Sequence, residues 1–188
     1  GVSAAGINAA KTLREIDKNI EIILVSKDEY VYSRCILHHF LDGRRDMKSL
    51  DFTPENFFET YKIKWVKGVE VIGIDTNEKK LKLSNNEEVS YDKVILATGS
   101  SSFLPPIENL RSANNVIGLR NLDDAIKIKE EVKKVKNVAI LGAGLVGVDA
   151  LAGLLDYGVN ITLIEMGDRI LPLQLDKYAA GVYEERLR

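Results

Sequence analysis

The chain has 188 residues, 45% of them hydrophobic, and a formal net charge of −2. That length allows one large domain or one and a half small ones, and the near-neutral charge argues against a nucleic-acid surface and leaves no basic patch for a membrane. No apolar run is long enough to span a bilayer, no basic-then-apolar leader opens the chain, and one cysteine cannot close an internal disulfide, so a cytoplasmic, reducing setting is the default.

In chain order, small residues give way to a helical pattern, predicting a helix from about Ala4 to Ile16. Asn19 to Ser26, "NIEIILVS", reads as a buried parallel strand. "RCILHHFL" reads as a short helix. "TPENFFETY" begins with Thr53 as N-cap and Pro54 at the first helical position. "VEVIGID", "KLKL" and "EEVSY" are short strands joined by turns. Lys93 to Ser100, "KVILATGS", reads as another buried strand with a glycine stop, and "SSSFLPPIENL" as a linker. A second unit follows. "NLDDAIKIKEEVKKVK" is a helix capped by Asn121, its Lys and Glu residues a solvated face. "NVAIL" is a buried strand, "GAGLVGVDALAGLLDYG" a glycine turn and helix closed by Gly158, "NITLIE" a strand and "LDKYAAGVYEERLR" a final helix.

Strand, glycine turn, helix and strand occur complete once and almost complete near the start, about 140 residues apart. In the complete copy Gly142, Gly144 and Gly147 stand at G-x-G-x-x-G spacing. Gly142 allows the tight turn, Gly144 lets backbone approach a pyrophosphate and Gly147 permits close helix–strand packing. The helix start offers free N–H groups to phosphate. Glu165 ends the next strand, where a carboxylate accepts ribose hydroxyls and repels a 2′-phosphate, so NADH is expected over NADPH. In the other copy Gly1 and Gly6 hold the outer positions and Ser3 the middle one. Asp28 is the first choice for a ribose acid, with Lys27 and Glu29 as alternatives. The strand that normally precedes such a turn is missing, so the sequence is expected to be a fragment. The expected fold class is α/β, two Rossmann-like doubly wound dinucleotide-binding folds with the first incomplete.

Two dinucleotide turns separated by "ATG" resemble the FAD-dependent pyridine nucleotide–disulfide oxidoreductase superfamily over essentially the whole chain. The resemblance implies an FAD-binding domain over residues 1–112 and a partial NADH-binding domain over 113–188. It puts Gly1, Ser3, Ala4 and Gly6 by the FAD pyrophosphate, Asp28 (or Lys27) at its ribose, Arg34 near the flavin, Val71 at the adenine, and Ala97, Thr98 and Gly99 along FAD. Gly142, Gly144, Leu145, Val146, Gly147 and Glu165 would hold NADH. It implies hydride transfer from NADH to FAD and onward transfer to a small-molecule or small redox-protein acceptor: a rubredoxin, oxygen or peroxide, or a nitrite-reducing partner. No metal, nucleic acid or membrane is implied, and full-length relatives are often homodimers.

"YSRCILHHF", Tyr32 to Phe40, holds the one cysteine and both histidines. It resembles the "YSRPLLSKY" segment of ferredoxin and rubredoxin reductases, with Cys35 for the proline and His39 for a lysine near the flavin. Single-cysteine NADH oxidases, NADH peroxidases and coenzyme A–disulfide reductases also place their cysteine at this position. Cys35 is therefore either a redox thiol, with a helix start and Arg34 favouring thiolate, or a small core-filling residue. His39 is a candidate to stabilise reduced-flavin charge, and His38 is expected to face solvent or pack. A non-catalytic nucleotide-binding module is the second alternative.

Overall fold

The computed structural model describes residues 1–187 and divides into two compact units. One comprises Gly1–Ser33 and Ser49–Ser101; the other comprises Arg34–Lys48 and the chain from Ser102 onward. Both carry parallel strand pairs flanked by helices, a Rossmann-type α/β architecture.

In the first unit, helix α1 spans Ala4–Ile16 and leads into strand β1, Ile22–Ser26. Helix α3, Phe57–Thr60, precedes strand β2, Ile63–Lys67, which pairs in parallel with β1. The core joins Val2, Ile7 and Ala10 of the turn and helix to Ile22, Leu24, Phe57 and Ile63. Phe58 stacks on Trp65 at 4.6 Å. Arg14 lies on the buried face of α1 but leaves nothing unsatisfied. Its guanidinium donates to the carbonyls of Tyr61, Lys62 and Asp17, tying α1 to the turn before β2. Strands β3 (Val71–Asp75), β4 (Lys80–Leu83) and β5 (Glu88–Ser90) form an antiparallel meander.

In the second unit a helical turn, Arg34–Ile36, runs into helix α2, Leu37–Leu41. Helix α4, Leu122–Glu131, is followed by strand β6 (Asn137–Leu141), helix α5 (Leu145–Leu154) and strand β7 (Asn160–Ile164), a βαβ unit with β6 and β7 parallel. Helix α6, Lys177–Leu187, closes the described chain, with Asp176 accepting the Ala179 N–H. The expectation that this helix reaches Arg188 lies outside the described residues.

Helix α2 is held by both neighbouring helices. Lys129 of α4 donates to the Phe40 carbonyl at 3.0 Å, and the Tyr157 hydroxyl, just past α5, donates to the Leu41 carbonyl at 2.6 Å. These bonds satisfy carbonyls that a helix end leaves orphaned. Gly153 of α5 makes the close approach possible: a Cβ there would lie 3.0 Å from both the His38 carbonyl oxygen and Leu41 Cβ. Gly153→Ala is expected to be near-neutral, because a gain in helix propensity of about 1 kcal/mol offsets the tight contact. Gly153→Val is expected to cost about 1–3 kcal/mol by overpacking, read as a lowered denaturation midpoint.

Four expectations need correction. Lys93–Ser100 belongs to no strand, and Ile95 and Leu96 are 58% and 67% exposed, because no strand among the described residues lies alongside to complete a ladder. Strand β6 alternates between exposed and half-buried positions instead of being buried throughout, and β7 shows the same alternation. Thr53 does not cap α3: its N–H and hydroxyl both bond the Asp51 carboxylate, and Asn56, in the left-handed region at φ 57°, precedes the helix. Strand β2, "IKWVK", has no counterpart among the expected elements. Asn121, in contrast, caps α4 as expected, in a reciprocal box with Asp124.

Candidate functional site

Each unit carries one glycine turn as its candidate site, and the two turns repeat the same spacing. Gly1, Ser3 and Gly6 recur as Gly142, Gly144 and Gly147, each 141 positions later. The middle residues share one backbone conformation: φ −96° and ψ −175° at Ser3, φ −76° and ψ −174° at Gly144. A helix starts directly after each, and the Ile7 and Val148 N–H groups donate to the Ser3 and Gly144 carbonyls at 3.0 Å. A Cβ on Gly6 would lie 1.8 Å from the Gly1 carbonyl oxygen, and one on Gly147 would lie 1.8 Å from that of Gly142. The third glycine is thus compulsory in both turns, and for the same contact. Gly142 sits at φ +99°, a conformation side chains rarely adopt.

The helix starts show what the turns are open to. Neither α1 nor α5 has a side-chain cap or an acidic residue in its first turn. Helix α4 has both, with Asn121 as cap and Asp123 and Asp124 in its first turn. No side chain of α1 or α5 therefore competes with an anion for the first-turn N–H groups. Space around Gly144 is empty to 4 Å, so a phosphate could approach the backbone closely. The residues present fit a dinucleotide pyrophosphate at each turn.

Glu165 follows β7 and returns to the second turn. Its carboxylate accepts the Ala143 N–H at 2.7 Å and the Gly167 N–H at 2.8 Å. These N–H groups, Ala143 first, hold the carboxyl below the usual glutamate range. Its bonds are therefore fully present above that range and fade as pH falls through the lowered value. The Met166 N–H adds to these two, and a carboxylate has about four acceptor sites, so about one remains for a ribose hydroxyl. Glu165→Gln would turn an NH2 toward one of these N–H donors. It is expected to weaken NADH binding about 10- to 100-fold and to narrow the NADH/NADPH preference, both measured by titration.

In the first unit the structure gathers Gly1, Ser3, Ala4 and Gly6 with Ala97. A Cβ on Gly1 would meet the Ala97 carbonyl oxygen at 2.5 Å, and one on Gly6 the Ala97 Cβ at 3.6 Å. Thr98 and Gly99 continue from Ala97 as exposed backbone. Asp28 is half-buried after β1 and its carboxylate accepts the Tyr32 hydroxyl at 2.9 Å, whereas Lys27 is exposed. Val71 opens β3 and is 36% exposed. In the second unit Gly142, Gly144, Leu145, Val146, Gly147 and Glu165 form one group, with Leu145 and Val146 more than half exposed. Arg34, Cys35 and His39 also belong to this unit.

Cys35 is exposed, whereas Leu37 and Leu41 of the same segment are buried. It does not fill the core. His38 is largely covered, its side chain 16% exposed, and its ring lies on that of His39 with centroids 4.0 Å apart. His39 Nδ1 stands 3.3 Å from Asp42 Oδ2, and the Asp42 side chain is 3% exposed. Burial alone would raise the Asp42 carboxyl, but the Arg44 N–H, His39 and the Arg44 guanidinium together hold it low. Asp149 of α5 lies 3.6 Å from His38. Asp42 and Asp149 are absent from the sequence-based site. Asp42 was findable, three residues after His39 on a helix; Asp149 required knowing that α5 packs on α2.

Twin uncapped dinucleotide turns, an acid after the second strand pair and an exposed cysteine define a nucleotide-binding α/β protein of redox type. Residues 1–188 match the family model for pyridine nucleotide-disulphide oxidoreductase, and the chain belongs to that family. Among relatives, an NADH oxidase of Methanocaldococcus jannaschii is 32% identical over all of this chain and 44% of its own length. A rubredoxin-NAD(+) reductase of Alcanivorax borkumensis is 32% identical over 96% of this chain and 47% of its own. Among solved structures, an NAD-dependent persulfide reductase from A. fulgidus has a TM-score of 0.89 at 30% identity, over all of this chain and 37% of that one. The chain thus spans less than half the length of these relatives. No helix among the described residues is long and apolar enough to cross a membrane.

Proposed function

We propose that the protein containing this chain is an FAD-dependent NADH oxidoreductase that uses Cys35 as a redox thiol toward a sulfur or oxygen acceptor. The exposure of Cys35 carries this reading, since a thiol kept for packing would be buried with Leu37 and Leu41. Residues 1–112 would hold FAD, through the Gly1–Gly6 turn, Asp28, Val71, Ala97, Thr98 and Gly99, with Arg34 near the flavin. Residues 113–188 would hold NADH, through the Gly142–Gly147 turn and Glu165. When bound, the flavin supplies the two-electron chemistry, and this chain supplies placement and charge. Similarity to an NADH oxidase and a persulfide reductase supports the thiol reading.

A second reading has the electrons leave for a small redox protein, as the name of the rubredoxin reductase relative suggests. Steady-state NADH oxidation by the FAD-loaded protein separates the two, using coenzyme A disulfide, hydrogen peroxide, oxygen and rubredoxin, with ferricyanide as reference. The thiol reading expects disulfide or peroxide to turn over faster than rubredoxin; the reverse order sinks it.

A further inference from the structure

His38 and His39 form, with two carboxylates, a row across the second unit. Asp149 Oδ2 stands 3.6 Å from His38 Nδ1, the two rings lie 4.0 Å apart, and His39 Nδ1 stands 3.3 Å from Asp42 Oδ2. His38 Nδ1 is buried and has no hydrogen-bond partner among the described residues. A buried polar atom left like this is costly, and a partner just beyond reach is a reason for it to change state. A proton on the imidazole would draw the Asp149 carboxylate in. The Arg44 N–H donates to Asp42 Oδ1 at 2.9 Å, and the Arg44 guanidinium, at 3.3 Å, shares Oδ2 with His39. Lys129 and Tyr157 bond the carbonyls of Phe40 and Leu41, the Arg45 N–H bonds the His39 carbonyl, and Arg34 and Cys35 occupy the preceding turn.

We infer that His38 and His39, bracketed by Asp149 and Asp42, act as one proton-holding pair that supplies the proton consumed when an acceptor is reduced at Cys35. The inference rests on the thiol reading above. The balance requires such a group. NADH, one proton and a disulfide give NAD+ and two thiols: the S–S bond breaks, the hydride brings two electrons and one hydrogen, and the second hydrogen comes from outside. Imidazole is the side chain that gives and takes protons near neutral pH. Cys35 lies three and four residues before the histidines, in the helical turn that runs into α2. Two cationic rings in contact repel, so a proton on one ring bears on the state of the other. Asp149, with its side chain 44% exposed, opens the row to solvent for reprotonation. Asp42 and Asp149 are positioning residues in this scheme.

Labelled-histidine NMR of the full-length, FAD-loaded protein reads the pair once the signals of His38 and His39 are picked out. His38→Gln and His39→Gln assign the signals. The expected result is coupling: removing either ring alters the pH response of the histidine that remains. Asp149→Asn is expected to move the His38 step to lower pH, and Asp42→Asn the His39 step. The alkaline limb of the ratio of disulfide to ferricyanide turnover should move with them. Asp149 is exposed enough to be replaced without endangering the fold, so the outcome does not hang on the buried Asp42. Imidazoles that titrate independently, or an Asp149→Asn variant that moves neither spectrum nor limb, overturn the pair. Cys35→Ser separates the two layers. Cys35-sensitive turnover with uncoupled histidines overturns the pair alone, whereas turnover that survives Cys35→Ser overturns the thiol reading and the pair's role in it.

Discussion

Gly147→Ala should lose NADH while keeping FAD, and Gly6→Ala should lose FAD. In each case the new Cβ would stand 1.8 Å from a backbone carbonyl oxygen, that of Gly142 or of Gly1. A flexible side chain could yield; these oxygens cannot. The Gly142 peptide is fixed by its N–H bond to the Ile164 carbonyl at 2.8 Å and by its positive φ. Relief therefore requires the helix start to move away from the strand, carrying off the N–H groups proposed to bind the phosphates. The propensity gain of Gly→Ala in a helix, about 1 kcal/mol, is too small to offset this. Overpacking of this kind costs about 1–3 kcal/mol, which corresponds to a loss of about 5- to 150-fold in dinucleotide affinity. Fluorescence titration with NADH and flavin retention on desalting read the two losses separately. A Gly147→Ala protein that binds NADH normally would show that the second turn is not the NADH site.

What the sequence disclosed, and what it hid, follows from the range of the forces involved. The bounds of α1 match the expected Ala4–Ile16 because that helix is set by local periodicity and by a turn that only small residues fit. Asn121 and Gly158 are also local signals, a cap and a left-handed stop at φ 67°. Strand β2 escaped because "IKWVK" is short and mixes lysines with apolar residues; its identity comes from pairing with β1, more than thirty residues earlier. The segment Lys93–Ser100 has the composition of a strand but no ladder to join, and strand state belongs to pairs rather than to sequences. Thr53 has a capping side chain, yet Asp51 two residues before it takes both its donors. The site shows the same division. Both glycine turns and Glu165 could be read from spacing. The facing of Asp149 and His38 could not, because it depends on Gly153 letting α5 reach α2.

Cys35→Ser should separate the two halves of the proposed reaction. Serine replaces sulfur by oxygen at an exposed position in the Arg34–Ile36 turn, so no packing is lost and the fold is expected to stand. The hydroxyl cannot form a mixed disulfide or a sulfenic acid, and it ionises far less readily than a thiol. The ratio of disulfide or peroxide turnover to ferricyanide turnover should fall at least about 100-fold, roughly 2.7 kcal/mol of barrier. An anaerobic NADH titration gives the same answer by counting electrons. A Cys35 isolated as a sulfenic acid or mixed disulfide takes two electrons before the flavin band bleaches: S–OH with two electrons and two protons gives S–H and water. Native protein should then show a lag of about one equivalent of NADH, and the serine variant should bleach from the first addition. Bleaching without a lag in the native protein, together with an unchanged turnover ratio in the variant, would leave Cys35 without a redox role. The electrons would then leave by way of a partner protein, and rubredoxin-type acceptors would become the ones to pursue.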